Sequence, residues 1–177
     1  MLQVGVDCGA HGAIGLLDET AALLMCWDMP FDTVEVGNSF RHRVSPVKLA
    51  DLLRPLMSGG VQVRMMCEQP TYRPMYGRNR ATGQAERIGM NPATMGILGE
   101  SVGIVKGVAA ALGMSYTGVY PGKWKRVVGV RGDKDDAIKR ACEVWPQSSG
   151  YFARKKDDGR AEACLIAWYG LREGRLS

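Results

Sequence analysis

The sequence has few of the residues that build disulfide scaffolds or zinc sites. It contains two histidines and five cysteines, which are Cys8, Cys26, Cys67, Cys142 and Cys164, and no two cysteines form a CxxC pair. An odd number of scattered cysteines is typical of reduced thiols in a cytosol-like compartment. We therefore exclude a disulfide scaffold and a His/Cys metal site, so any metal would have to bind carboxylates.

Long hydrophobic runs are missing as well. No apolar run approaches the length of about 18 residues expected of a membrane-spanning helix, so we expect no membrane span. The N-terminal stretch MLQVGVDCGAHG has no basic segment followed by an apolar one, and we expect no secretory signal. Together these absences favour a cytoplasmic protein.

The residues that are present suit one globular domain over residues 1–177, with 46% hydrophobic and 23% charged residues. The net charge of +5 is unevenly distributed. Residues 1–69 hold 5 Lys/Arg and 8 Asp/Glu, whereas residues 70–95 hold 4 and 1, and residues 123–156 hold 10 and 4. Basic blocks beside acidic ones are typical of a phosphate-binding face around a carboxylate site, although a solvated surface without a partner can look the same.

The spacing of apolar residues predicts a mixed α/β fold. Three short alternating segments joined by tight turns predict an antiparallel meander, at residues 2–7, 13–17 and 21–27. Two later strands, at residues 61–68 and 114–119, follow predicted helices at residues 47–57 and 95–112. Further helical segments are predicted at residues 121–125, 133–144 and 159–171. Residues 28–44 are predicted to be irregular, and residues 70–95 to form a basic loop or arm inserted after the fourth strand.

The predicted helix at residues 95–112 carries a stripe of small residues, which are Gly96, Gly99, Gly103, Gly107 and Ala110. Each glycine costs a helix about 1 kcal/mol relative to alanine. The stripe therefore predicts close backbone packing against a sheet or another helix, or a surface for dimerisation.

Acidic side chains stand at the ends of predicted elements. Asp7 ends the first strand and Glu68 ends the fourth, and an acid at the end of such an apolar strand is costly unless it is functional or paired. Asp158 and Glu162 are four residues apart, so they share one face of the last helix and repel each other. These acids predict a magnesium site, because magnesium takes oxygen ligands and two such ions support phosphodiester cleavage.

Each of these acids also has a structural interpretation. Asp7 could form a turn before Gly9, and Asp157 and Asp158 could cap the last helix. The joint occurrence of the acids favours the functional interpretation.

Four segments of the chain, in this order, resemble RuvC-like Holliday junction resolvases of the RNase H superfamily, especially the compact phage-type members. They are VGVDCG followed by GAIG, then MCEQP, then YPGKWK, and finally KKDDGRAEA followed by LIA. The resemblance spans nearly the whole chain. It implies an RNase H-like mixed five-stranded sheet, made of a three-strand antiparallel meander plus parallel strands, flanked by helices.

The resemblance also implies a function, in the cytoplasm of a bacterium or of a phage-infected host cell. It implies a crossover junction endodeoxyribonuclease of DNA recombination and repair, a homodimer that binds four-way DNA junctions and makes paired nicks. Two magnesium ions per site, or manganese in their place, would be held by Asp7, Glu68, Asp158 and Glu162, with Asp7 bridging both ions. RuvC itself usually ends in two aspartates three residues apart, so the choice between Asp157 and Asp158 stays open.

Basic and aromatic residues complete the hypothesis. We expect the DNA backbone to contact Arg73, Arg78, Arg80, Lys123, Lys125, Arg126 and Lys134. RuvC has an aromatic residue behind the second acid that is thought to enter the junction, and Tyr72 and Tyr76 are the candidates here. The lysines and arginines could instead form an ordinary solvated surface, and the tyrosines could pack within their own loop.

Three other functions share parts of this sequence pattern. A related RNase H-fold nuclease would keep the acids and cut other branched DNA or RNA–DNA hybrids. A non-catalytic junction-binding protein would be expected to lack one or more of the acids. The turn at Asp7 also resembles a phosphate loop of actin-like ATPases, but those need a second lobe for which 177 residues leave no room.

Overall fold

The computed structural model of the chain describes residues 1–9, 11–36, 39–71, 75–78, 82–88, 92–131 and 134–173. Its strands are β1 (Leu2–Val6), β2 (Ala13–Asp18), β3 (Leu23–Asp28), β4 (Phe31–Val36), β5 (Ser39–Val44), β6 (Val63–Glu68), β7 (Met75–Arg78), β8 (Ala85–Ile88) and β9 (Ser115–Val119). Its α-helices are α1 (Pro46–Leu53), α2 (Pro92–Ala111), α3 (Pro121–Val128), α4 (Lys134–Val144) and α5 (Asp158–Glu173). Short 3-10 helices lie at Arg54–Met57, Pro146–Phe152 and Lys155–Asp157.

Five strands form a mixed sheet in the order β3-β2-β1-β6-β9. The strands β1, β2 and β3 are antiparallel neighbours, whereas β6 is parallel to β1 and β9 is parallel to β6. The parallel strands are reached through helices, since α1 precedes β6 and α2 precedes β9. The predicted meander and the two later parallel strands are thus confirmed, and the carboxyl ends of β1 and β6 lie side by side.

Helices cover both faces of this sheet, because side chains along a strand point alternately to the two faces. Val4 and Val6 of β1 belong to a buried cluster that includes Leu49 of α1 and Val105 of α2. The cluster on the other face contains residues of α3, α4 and α5, among them the buried Leu165. The sheet therefore lies between two layers of helices, as the fold class predicts.

The helix α5 lies directly on the sheet at two strand glycines. Gly5 of β1 and Gly15 of β2 are cross-strand partners. A Cβ atom on Gly5 would lie 2.2 Å from the carbonyl oxygen of Ala163, and one on Gly15 would lie 2.8 Å from the Cα of Cys164. Because both approaches involve backbone atoms that cannot turn aside, these glycines set the height of α5 above the sheet.

The segment predicted to be irregular, residues 28–44, contains a β-hairpin outside the main sheet. The strands β4 and β5 pair antiparallel, from Phe31 opposite Val44 to Val36 opposite Ser39. The prediction was wrong because this hairpin buries little of its surface. Of its described side chains only Val44 is buried, so the sequence lacks the alternation of buried apolar and exposed polar residues.

The segment predicted to be a basic loop or arm also contains regular structure. The strands β7 and β8 form an antiparallel two-stranded sheet, with Met75 opposite Ile88 and Arg78 opposite Ala85. The helix α2 begins inside the segment, at Pro92. Two strands of four residues each are too short to be recognised by periodicity.

Three glycines of the small-residue stripe of α2 have no close neighbours among the described residues. A Cβ atom on Gly96, Gly103 or Gly107 would meet no atom of this part of the chain within 4 Å. These three positions therefore do not form the predicted close packing within the described part of the chain, and the alternative of a surface for dimerisation stays a prediction. Contrary to expectation, the stretch Thr94–Ala111 is long and apolar enough to cross a membrane, and 22% of it is buried. One such helix is a weak indication of a membrane protein, because helices of soluble proteins can pass the same test.

Candidate active site

Two acids lie at the edge of the sheet where parallel strands end. Asp7 directly follows β1, and Glu68 is the last residue of β6. Val6 pairs with Cys67 in the parallel register, so the chain reaches the two acids at the same edge. Their neighbouring thiols are also in contact, since the Sγ atoms of Cys8 and Cys67 are 2.9 Å apart.

Glycines close the turn that follows Asp7. The Gly9 amide donates a hydrogen bond to Asp7 Oδ1 at 3.2 Å, and the Gly12 amide donates to the Gly9 carbonyl at 2.8 Å. A Cβ atom on Gly12 would lie 2.1 Å from the carbonyl oxygen of Asp7, which excludes a side chain there. Asp7 therefore does form a turn, and the same turn holds its carboxylate at the edge of the sheet.

The first turn of α5 adds two further acids. A Cβ atom on Gly159 would lie 3.3 Å from Asp7 Oδ2, so the helix begins against the Asp7 carboxylate. Glu162 and Asp158 both raise the pKa of Asp7 through their charge, and Glu162 does the same to Glu68. The structure thus brings together the four acids that the motifs indicated, which we call the acidic cluster (Asp7, Glu68, Asp158 and Glu162).

Two members of the acidic cluster have raised pKa values. Burial raises the pKa of Asp7 to about 6, and the charges of Glu162 and Asp158 contribute, while the Gly9 hydrogen bond opposes the shift. Burial likewise raises the pKa of Glu68 to about 7, against the lowering effect of a hydrogen bond from Trp124. Buried acids that repel one another are typical of a site that binds a cation or transfers a proton.

Two residues of α3 hold the glutamates of the cluster. The fully buried Trp124 donates from Nε1 to Glu68 Oε2 at 2.6 Å. Lys125 Nζ donates to Glu162 Oε1 at 2.6 Å, with the two side chains 26% and 16% exposed. Sequence reasoning missed Trp124 and placed Lys125 on the DNA backbone. The signal that could have identified both was the YPGKWK segment, which already belonged to the resemblance.

Asp157 and Asp158 have different surroundings. Asp157 is 3% exposed and accepts hydrogen bonds from the Arg154 backbone amide at 2.9 Å and from its guanidinium at 2.7 Å. These bonds hold the pKa of Asp157 below its usual value and close the short helix in front of α5. Asp158, by contrast, acts electrostatically on Asp7. This difference favours Asp158 as the member of the acidic cluster.

The residues expected to contact DNA are only partly described. The described part of the chain excludes Tyr72, Arg73 and Arg80, together with the side chains of Tyr76, Arg78 and Lys134. Lys123 is paired with Glu173 at 2.9 Å, and Arg126 is exposed on α3.

The acidic cluster has the donor chemistry of a metal site but not its closed geometry. Among the described residues, no three His, Cys, Asp or Glu side chains are grouped so as to hold a metal ion. Glu68 and Glu162 are instead held by Trp124 and Lys125. The chemistry of the cluster still fits a divalent cation, because its donors are carboxylate oxygens. The raised pKa values of Asp7 and Glu68 reflect burial and mutual repulsion, and a bound cation would relieve the repulsion.

Comparisons with known proteins identify the fold. No protein-family model matches the chain, and no curated protein matches its sequence. The Thermus thermophilus RuvC structure in complex with a Holliday junction substrate superposes with a TM-score of 0.55 at 12% identity, covering 100% of this chain and 97% of that one. A second Thermus thermophilus RuvC structure has a TM-score of 0.52 at 10% identity, covering 98% and 97%. The chain therefore has a RuvC-like fold over its full length.

Proposed function

We propose that this chain is a metal-dependent, structure-selective DNA endonuclease that resolves four-way junctions by paired nicks. The observation that carries the proposal is the acidic cluster, formed where β1, β6 and α5 meet in a RuvC-like fold. A solved structure with this fold contains a Holliday junction substrate, which supports branched DNA as the substrate here. The proposal includes a cytoplasmic role in DNA recombination and repair.

The residues of the cluster would act together at one phosphodiester. Asp7 would be the central ligand for magnesium or manganese, and Glu68, Asp158 and Glu162 would complete the donor set. Two bound ions would supply an activated water and offset the charge on the leaving oxygen. Trp124 orients the Glu68 carboxylate, and Lys125 holds the Glu162 carboxylate in place.

A homodimer is part of the proposal. A four-way junction has two-fold symmetry, so a two-fold dimer would present one acidic cluster to each of two strands. The open glycine face of α2 supports this, since Gly96, Gly103 and Gly107 leave room for another backbone to approach. Analytical ultracentrifugation would test it, and a monomer both alone and on junction DNA would contradict it.

A nicking assay tests the function directly. We expect the protein with magnesium to nick a four-way junction much faster than a linear duplex or an RNA–DNA hybrid of the same sequence. Preferential cutting of the hybrid or of another branched DNA would instead identify a related RNase H-fold nuclease. Junction binding without nicking in magnesium or manganese would identify a non-catalytic binding protein.

We expect substitutions of the two adjacent aspartates to have different effects, one on nicking and the other on stability. We predict that Asp158→Asn lowers the nicking rate at least about a hundredfold, because it removes a carboxylate from the cluster. The matched variant Asp157→Asn should keep the nicking rate within about threefold but lower the free energy of unfolding by about 1–3 kcal/mol, since Asp157 is buried in hydrogen bonds with Arg154. Urea unfolding and single-turnover nicking measure the two effects, and the reverse pattern would make Asp157 the ligand.

Magnesium should stabilise the protein in a pH-dependent way. The folded-state pKa values of Asp7 and Glu68, about 6 and about 7, are raised above the usual values of 3.8 and 4.5. In metal-free protein the stability contributed by these acids is therefore fully present at low pH and lost as the pH rises through 6 to 7. Magnesium binds the ionised acids, so we predict that it raises the Tm clearly at about pH 8 and hardly at about pH 5. An equal rise at both pH values would show that the ion binds elsewhere.

A further inference from the structure

A groove of about 630 Å³ extends from the acidic cluster to the β4–β5 hairpin. Its lining includes Asp158 of the cluster and the turn residue His11. Phe31, the first residue of β4, and the run Arg154–Lys156 also line it. The groove therefore connects the candidate site of cleavage with a surface that the proposed mechanism does not use.

Two lysines in the lining of the groove are not engaged by its acids. Of those acids, Asp28 is held by two hydrogen bonds from Arg160 at 2.6 and 2.7 Å, Asp157 is held by Arg154 at 2.7 Å, and Asp158 belongs to the acidic cluster. Lys155 and Lys156 are both exposed, and neither forms an ion pair with another residue in the part of the chain that the structure describes. Two such lysines are available to an anion.

Phe31 adds an aromatic ring to the lining of the groove. Phe31 is 40% exposed, and its ring centroid lies 4.1 Å from that of His42 on β5. Phe40, opposite Glu35 in the hairpin register, lies on the same face of the hairpin and is 74% exposed. Proteins bind single strands of nucleic acid by combining exposed aromatic rings with basic side chains. The bases stack on the rings and the phosphates contact the lysines.

We propose that this groove binds the DNA strand next to the scissile phosphate, with its phosphates on Lys155 and Lys156 and an unpaired base against Phe31. The inference rests on the proposed nuclease function, because it takes Asp158 as the cleaving end of the groove. It gives the β4–β5 hairpin a role in contacting DNA where strands exchange and a base is unstacked. Phe40 would continue the same surface beyond Phe31.

The lysines are tested by DNA affinity. The double variant Lys155→Ala/Lys156→Ala is made in an Asp7→Asn background, and binding of a four-way junction and of a single-stranded oligonucleotide is measured over a range of salt concentrations. We expect at least about tenfold weaker binding, and a salt slope for the single strand that is lower by about 1.4, as for two lost phosphate contacts. The matched control, Lys106→Ala/Lys139→Ala, removes two exposed lysines of α2 and α4 and should bind almost as the parent does. The inference would be overturned if both double variants lost the same affinity for DNA, or if Lys155→Ala/Lys156→Ala lost none.

The role of Phe31 is tested by Phe31→Leu, which keeps an apolar side chain but removes the ring. We expect about tenfold weaker binding of the single strand and of the junction, and a smaller effect on an unbranched duplex, in which bases stay stacked. Unchanged binding of both would overturn the role of Phe31.

The outcomes also separate this inference from the proposed function. If the wild-type protein nicks junctions while the Lys155/Lys156 variant binds and nicks normally, the groove inference alone fails. If the wild-type protein nicks no branched DNA but still loses affinity specifically with that variant, the groove stands as a DNA-binding site and the nuclease proposal fails.

Discussion

Asp7→Asn is expected to abolish magnesium-dependent nicking while making the metal-free protein more stable. The change removes the central carboxylate of the acidic cluster, so we expect at least about a thousandfold loss of nicking. Near pH 8 it also removes a buried charge whose pKa is raised to about 6 by burial and by the charges of Glu162 and Asp158. A relief of about 1–3 kcal/mol follows, which corresponds to a rise in Tm of roughly 5 °C.

The two readouts are a single-turnover nicking assay on junction DNA and thermal unfolding in a chelating buffer. Asp51→Asn is the matched control, because Asp51 is exposed on α1, and it should change neither quantity. Binding of the junction by Asp7→Asn should be retained. Nicking at the wild-type rate would remove Asp7 from the mechanism, and a lower Tm would show that its charge is compensated in the free protein.

Gly5→Ala is expected to have the largest effect on the fold and to affect the candidate site indirectly. The added Cβ would lie 2.2 Å from the carbonyl oxygen of Ala163 and 2.3 Å from the amide nitrogen of Ala167. Since both are backbone atoms of α5, the helix has to move away from β1. We expect the free energy of unfolding to fall by about 3 kcal/mol or more. Nicking should be lost even where the variant is folded, because Asp158 and Glu162 move with the helix.

The matched control is Gly103→Ala on α2. A Cβ atom there would meet no atom of the described residues within 4 Å, and alanine favours a helix over glycine by about 1 kcal/mol. This variant should therefore be as stable as the wild type or more so in chemical unfolding. A Gly5→Ala variant with wild-type stability and nicking rate would show that α5 does not depend on the close approach to β1.

Local patterns predicted most of the elements around the site. The strand ending at Asp7 and the one ending at Glu68 are short apolar runs that stop at a charged residue, and the structure has them at Leu2–Val6 and Val63–Glu68. The helix that begins at Asp158 carries apolar side chains over most of its surface because it is buried against the sheet. Such signals are local, so one sequence is enough to find them.

The errors arose where the surroundings of a segment decide its structure. The glycines of α2 were expected to mark close packing, yet Gly103 has no close neighbour in the part of the chain that the structure describes, whereas Gly5 and Gly15 in the strands form the close contact with α5. The sequence does not distinguish a glycine that is exposed from one that is in close contact with another element. Only the neighbours of the glycine in space do so. The β4–β5 hairpin was missed for a related reason, because it stands off the main sheet and buries little.

The sequence by itself determined which residues can form a carboxylate site, because acids at the ends of apolar strands and at a helix start are visible as a pattern along the chain. Only the tertiary structure decided how these residues are used. In the structure Arg154 binds Asp157, Trp124 holds Glu68, and Lys125 contacts Glu162 of the acidic cluster. The physical reason is that hydrogen bonds and charge interactions act over a few ångströms in space, between residues up to 56 positions apart in the chain.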